Sequence, residues 1–236
     1  MNTLFEKTKA VSIFCLILLI LVSILSGMFW IYYTMQSEKW AALIGGIISG
    51  LVAVIVTLCL SYYEFKKIER FKRLGIKDVL PERTDKKYYE QIIRNAKTLI
   101  QVMGTSCTRF LDDFGDQSRP EHALVDTLNS KSSLKVQILV PNESNMDITS
   151  KARFESDSIK RVINELTEKY SDRFIIKRFN FPPTHSLVRA DNHLIVGPVF
   201  PKVDSRHTPA IHLKTSSEYA KKYIQYFDDV WTASDG

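Results

Sequence analysis

The sequence predicts a membrane-anchored α/β protein, with an N-terminal transmembrane helical hairpin followed by one α/β layered domain. Three observations predict it. Two long apolar runs, 10–36 and 41–63, open the chain. Beyond them, short apolar runs alternate with amphipathic segments, the pattern of strands linked by helices. Further on, two strand-like runs meet at the turn-forming pair Asp191-Asn192.

The first run holds no charged residue, and each exceeds the roughly 20 apolar residues that cross a bilayer. Only Ser37-Glu38-Lys39-Trp40 separates them, which forces two antiparallel helices. The first run is too long for a secretory leader, and no A-x-A-like cleavage site follows it. Trp30, Tyr32, Tyr33 and Trp40 fall at one interface, Tyr62 and Tyr63 at the other. Lys7 and Lys9 precede the hairpin, and Lys66, Lys67, Arg70, Lys72 and Arg73 follow it. The positive-inside rule then puts both termini in the cytoplasm. Ala42, Gly46 and Gly50 form one small-residue stripe and Gly45, Ser49 and Ala53 another, suited to close helix packing within the hairpin or between copies.

Residues 64–84 read as a basic amphipathic stalk that continues the second helix, with Phe65, Ile68, Phe71 and Leu74 on one side and Gly75 as its end. The α/β domain is expected over 85–236, with Asp85 capping its first helix, 86–96. Buried strands follow at 98–103 and 134–140, separated by a helix at 121–128. Residues 142–153 are polar and read as a surface loop. A helix over 156–170 shows Ile159, Val162, Ile163, Leu166 and Tyr170 on one face. Strands at 173–179, 185–190, 193–198 and 209–214 precede a closing helix over 216–231.

Lys and Arg number 32 against 26 Asp and Glu, a mild basic excess that suits a membrane surface or a nucleic acid. The three cysteines show no pairing pattern, which argues against a disulfide scaffold. No His, Cys or carboxylate set has metal-ligand spacing, so neither metal nor cofactor is expected. Cys107 has no evident base beside it and reads as inert.

Several segments, in order, resemble one half of the phospholipase D superfamily over roughly residues 86–234. They are NAKTLIQVMGTS, LKVQILVP, HSLVRADNHLIVGP and AIHLKTSSEYAKKYIQYFDDVW. The family signature is H-x-K-x4-D, and enzymes of the family use two copies. Here His185 stands first, Leu187 replaces the lysine, and Asp191 comes one residue early. The resemblance implies an α/β sandwich half and a phosphodiester-binding cleft. By strand alternation His185, Leu187 and Arg189 share a face, so Arg189 could stand in for the missing lysine. The ligand-binding residues expected on this basis are Gly104, Thr105, Ser106, Arg178, His185, Arg189, Asp191, Lys202 and His207.

Hairpin, stalk and degenerate domain together resemble membrane effectors of bacterial anti-phage signalling systems. That likeness implies a cyclic nucleotide ligand, the inner membrane as location, a homo-oligomer, and a nucleotide cyclase encoded alongside and acting through its product. Phe181 or Phe200 could stack on bases. Two other readings stay open. One is a membrane-tethered homodimeric phosphodiesterase acting on phospholipid or nucleic acid, with His185 as nucleophile or acid. The other is a scaffold that docks a partner protein.

Overall fold

The computed structural model describes residues 2–34, 38–200 and 203–234. The chain forms two compact units, Met1–Glu69 and Arg70–Gly236.

The first unit is built from α1 (Asn2–Thr34) and α2 (Glu38–Arg73). They contain stretches long and apolar enough to cross a membrane, Ile13–Thr34 and Ala42–Arg73. At a rise of about 1.5 Å per residue, even the shorter stretch spans a hydrocarbon core of about 30 Å. Phe14 stacks on Tyr62 with ring centroids 4.0 Å apart. Ile44 and Ile48 are buried. Hydroxyls of Ser23, Ser26, Ser49 and Thr57 donate to carbonyls one turn back, which satisfies them in an apolar medium. The two small-residue stripes differ. Gly45 packs against the Tyr32 ring, whereas Gly46 and Gly50 meet no atom within 4 Å.

The second unit is a seven-stranded mixed sheet with helices on both faces. Its strands are β1 (Ile76–Leu80), β2 (Leu99–Met103), β3 (Lys135–Pro141), β4 (Phe174–Phe179), β5 (His185–Ala190), β6 (His193–Pro198) and β7 (Ala210–Lys214). Their spatial order is β1-β7-β6-β5-β2-β3-β4. β2, β3 and β4 are parallel, while β5, β6, β7 and β1 add on antiparallel.

One face carries α3 (Lys86–Asn95), α4 (Thr108–Phe114), α5 (Ala123–Ser130), α6 (Ile148–Phe154) and α7 (Asp157–Lys169). Their core includes Ile93, Leu111, Leu124, Val162 and Leu166, packed on Ile100, Val136, Ile138 and Ala190. The other face is covered by α8 (Glu218–Ala233), whose Ala220, Phe227 and Val230 meet Met103, Leu139, Leu187 and Val196. The period of two along β5 divides its side chains accordingly. Leu187 belongs to the α8 core, and Val188 and Ala190 to the other.

Local chemistry fixes the element ends. Asp85 accepts from the Tyr88 amide at 3.1 Å and caps α3, and Ser217 accepts from the Ala220 amide at 3.1 Å and caps α8. Gly75 follows α2 with φ of +72°, and a Cβ there would fall 2.3 Å from Ser217 Cβ. Its carbonyl accepts from the Lys214 amide at 2.7 Å.

Residues 64–84 are therefore not a linker throughout. Helix α2 runs to Arg73, and Ile76–Leu80 is a strand paired with β7. The 142–153 segment is likewise not plain loop: it contains a 3-10 turn at Glu143–Asn145 and most of α6. Helix α6 buries only Phe154, and its seven residues are too few for a period to show.

Candidate functional site

The carboxyl ends of β2, β3 and β4 form one rim of the sheet together with the start of β5. Crevices at such rims are the usual ligand sites of α/β sheets. His185 opens β5 there, on the α8 face. Its ring lies 5.5 Å from Tyr223 and 6.4 Å from Tyr226, centroid to centroid. Nδ1 is 2.9 Å from Thr184 Oγ1. Among the described residues, no carboxylate, lysine or second imidazole is hydrogen-bonded to His185.

Gly104, Thr105 and Ser106 leave β2 beside this corner, just past the ladder pair Met103–Leu187. A Cβ on Gly104 would stand 3.7 Å from Ser186 Cβ. Ser106 is buried and its hydroxyl is 3.1 Å from that of Thr108. Cys107 adopts φ of +53°, and burial pushes its thiol up to about 12, so it stays a protonated thiol.

A groove of about 1060 Å³ continues the rim over the β4 edge. Phe154, Arg178, Phe179, Asn180, Phe181 and Tyr226 are among its walls. Tyr226 thus joins the groove to His185. The Arg178 guanidinium lies 5.5 Å over the Phe154 ring and 3.2 Å from Glu143 Oε1. Phe179 and Phe181 pack with centroids 4.6 Å apart. Asn180 Oδ1 accepts from the side chains of Asn142 at 3.4 Å and Asn145 at 3.2 Å. Hydrogen bonds from Arg178 and then Lys151 hold the Glu143 carboxyl below its usual range. Arg178 lies three strands from β5, about 14 Å at ordinary strand spacing.

Three residues expected at the site, Arg189, Asp191 and His207, do not line the groove. Arg189 does share the α8 face with His185, but four residues along a strand is about 13 Å. Its Nη1 donates to Gln101 Oε1 at 2.8 Å, and Gln101 donates onward to Gln137 at 2.8 Å and Asp228 at 3.2 Å. Its Nε is buried without a partner. Asp191 is at the opposite end of β5, about 20 Å from His185. With φ of +46°, its carboxylate accepts from the amides of Lys97, Thr98 and Leu99 at 2.6, 3.2 and 2.9 Å, and from the Thr98 hydroxyl at 2.5 Å. It is a structural clasp between the β5–β6 turn and the entry to β2. His207 is exposed in a 3-10 turn, Ser205–His207, 3.8 Å from Glu82. Lys202 lies outside the described residues.

Sequence reasoning did not single out Arg83, Asn180 or Tyr226. Arg83 is buried beneath the rim. Its guanidinium donates to the hydroxyls of Ser186 and Thr208 and to the carbonyls of Pro198 and Thr208. Burial lowers its pKa, with Arg109 adding to the effect. Gly197 makes room for it, since a Cβ there would lie 2.7 Å from Arg83 Nη2 and 2.3 Å from the Pro209 carbonyl. A glycine inside a strand, as Gly197 is in β6, is the kind of signal that marks such a close backbone approach.

A second polar cluster lies on the α3 face. The Tyr88 hydroxyl meets His212 Nδ1, His212 Nε2 lies 2.9 Å from His193 Nδ1, and Lys77 Nζ lies 3.3 Å from His193 Nδ1. With neutral imidazoles Tyr88 donates to His212 Nδ1 and His212 Nε2 donates to His193 Nδ1, whose single lone pair Lys77 Nζ competes for at 3.3 Å. Burial first, then His193 and Lys77, pushes His212 down to about 4.

No family model matches the chain, and no curated protein is significantly similar to it. Among solved structures, TrmBL2, an archaeal chromatin protein described with a novel mode of DNA binding, is similar at 10% identity and a TM-score of 0.46. That likeness covers 82% of this chain and 70% of the other. The phosphatidylserine synthase of Haemophilus influenzae Rd KW20 is similar at 10% identity and a TM-score of 0.47. There this chain is covered over 67% and spans 39% of the synthase. Neither likeness is close enough to assign function, which is argued below from the site.

Proposed function

We propose that this chain is a ligand-gated membrane effector. Its phospholipase D-like domain binds a cyclic oligonucleotide at the rim, and its two-helix hairpin delivers the response in the bilayer, as in bacterial anti-phage signalling. The observation that carries this reading is the groove itself. It brings the Arg178 guanidinium and the Lys160 ammonium together with three phenylalanine rings and a tyrosine in a space large enough for a dinucleotide, with Glu143, Glu155 and Asp229 also in its walls, and Tyr226 is the residue it shares with the His185 corner. A guanidinium recognises a phosphodiester by charge-assisted hydrogen bonds, and rings recognise base faces. The lone imidazole supports binding over turnover, because general acid–base cleavage needs a second group at the reacting phosphorus.

The same reading includes a homo-oligomer in the bacterial inner membrane, both termini cytoplasmic, responding to the product of a nucleotide cyclase encoded alongside. Arg178 takes the phosphate, exchanging Glu143 for it. Phe181 and Tyr226 flank the bases. His185 donates at the corner of the groove.

The test is thermal unfolding of the fragment 70–236 with a panel of cyclic di- and trinucleotides, followed by an assay of ligand integrity. At a hundredfold excess over Kd a ligand adds about 2.7 kcal/mol, or roughly 5–10 °C for a domain of this size. Arg178→Ala should weaken binding at least tenfold while leaving the unliganded midpoint nearly unchanged, since Arg178 is an exposed member of a surface ion pair. A ligand recovered cleaved, with cleavage lost in His185→Ala, would replace this reading with the homodimeric phosphodiesterase. No shift with any ligand would refute it.

A further inference from the structure

The end of the sheet opposite the groove is formed by the starts of β1, β2, β3, β4 and β6, the ends of β5 and β7, and their turns. Four exposed lysines stand there: Lys77, Lys97, Lys135 and Lys214. The backbone draws them together. Lys135 N donates to Thr98 O at 2.9 Å, next to Lys97, and Lys214 pairs with His193, whose ring meets Lys77 Nζ at 3.3 Å. Among the described residues, none of the four has a carboxylate partner. Of the acids at this end, Asp191 is occupied by backbone amides and Asp78, beside Lys77 in β1, accepts from the Val79 amide, which leaves Asp172 at the β4 edge.

The groove end is different. There Arg178 and Lys151 pair with Glu143, Arg109 with Asp113, and Arg153 and Arg206 with Asp204. The cations of the groove end are thus held in ion pairs, whereas among the described residues the four lysines of the other end are not. Crowded like charges destabilise a compact fold unless an anion answers them. Lys77 registers that crowding: burial lowers its pKa, and Lys214 lowers it further.

We propose that this lysine end is a docking surface for the anionic headgroups of a lipid bilayer. The chain itself selects the partner. Helix α2 ends with Arg70, Lys72 and Arg73 in its last turn, and β1 opens at Ile76. The lysine end is therefore the end of the sheet covalently continuous with a basic helix terminus whose upstream stretch is apolar enough to span a membrane. All four cations are lysines, point charges suited to a diffuse anionic surface, whereas arginine's planar fork suits the bidentate pairing of a specific phosphate or nucleic-acid contact. The inference does not depend on the ligand proposed for the groove.

The test is hydrogen exchange on the full chain in nanodiscs of phosphatidylcholine alone or of an equal mixture with phosphatidylglycerol. Amides of 76–77, 97–98, 133–135 and 214–216 should exchange about tenfold more slowly in the anionic discs. The protection should vanish at high salt, where the Debye length falls from about 10 Å to about 3 Å. A combined Lys77→Gln, Lys97→Gln, Lys135→Gln and Lys214→Gln variant should lose it too, with exchange at 142–145 and 178–181 unchanged as the check on folding. Equal exchange in both discs, or protection that survives in the variant, would overturn the proposal. So would protection in neutral discs by an added oligonucleotide alone, which would make the patch a nucleic-acid surface.

Discussion

Replacing Asp191 by Ala separates a motif residue from a structural one. The carboxylate accepts four hydrogen bonds, three from consecutive amides of Lys97, Thr98 and Leu99 and one from the Thr98 hydroxyl. Burial alone would raise its pKa, but the Thr98 hydroxyl and the amides outweigh burial and hold it below the usual carboxylate range. Hydrogen bonds to a charged group contribute about 1.5–3 kcal/mol each when buried. The turn is only half-buried and the freed amides regain water, so the loss for the set is on the order of 2–3 kcal/mol. Alanine at φ of +46° adds about 1 kcal/mol, which Asn largely avoids. At roughly 2–4 °C per kcal/mol, the melting midpoint of the 70–236 fragment should fall by about 10 °C in Asp191→Ala and by about half that in Asp191→Asn. Groove ligand affinity should be unchanged, because the clasp is about 20 Å from His185. A depressed carboxylate contributes stability above its unfolded pKa of about 3.9, and that stability is lost as pH falls through the lower folded value. The acid limb of stability should therefore flatten in both variants. An unchanged midpoint with abolished binding would refute the assignment and return Asp191 to the site.

Two further predictions concern the sheet's interior. Gly197→Ala places a methyl against the Pro209 carbonyl and the Arg83 guanidinium, so it should cost about 1–3 kcal/mol in urea unfolding, and a silent substitution would show that Arg83 does not pack there. His212 has a folded pKa of about 4 against 6.5 for the free side chain, so the folded state binds fewer protons between those values. Stability should therefore fall as pH drops from about 6.5 towards 4, by on the order of 1–2 kcal/mol after screening, and His212→Gln should reduce that slope, the remainder coming from His193, which burial and Lys77 also lower. An unaltered slope in the variant would place the titrating group elsewhere.

The membrane spans, the two-residue turn at Asp191-Asn192 and the strands at β2, β3, β5 and β6 were legible because each depends on local composition or a period within one segment. Run length alone decides whether a helix can cross a bilayer. Alternation alone put His185, Leu187 and Arg189 on one face. The missed elements are short or lie at an edge. β1 is an edge strand with three exposed central residues, and α4 and α6 are seven-residue helices too brief for a 3.6 period. Within the site, alternation specifies a face but no depth along it. Only the packed sheet placed Arg189 beneath α8 with Gln101, and Asp191 at the far end with the Lys97–Leu99 amides. Pairing of charges is equally nonlocal. Arg178 finds Glu143 and Arg83 finds Ser186 and Thr208 through tertiary contacts, while among the described residues Lys77, Lys97, Lys135 and Lys214 share one end of the sheet with no carboxylate partner. The sequence by itself determined which segments are long and apolar enough to cross a bilayer and which residues could be considered for the site. Tertiary structure decided which of those residues share a groove, because its walls come from β4, the segment 142–155 and α8, which only contacts distant in sequence bring together.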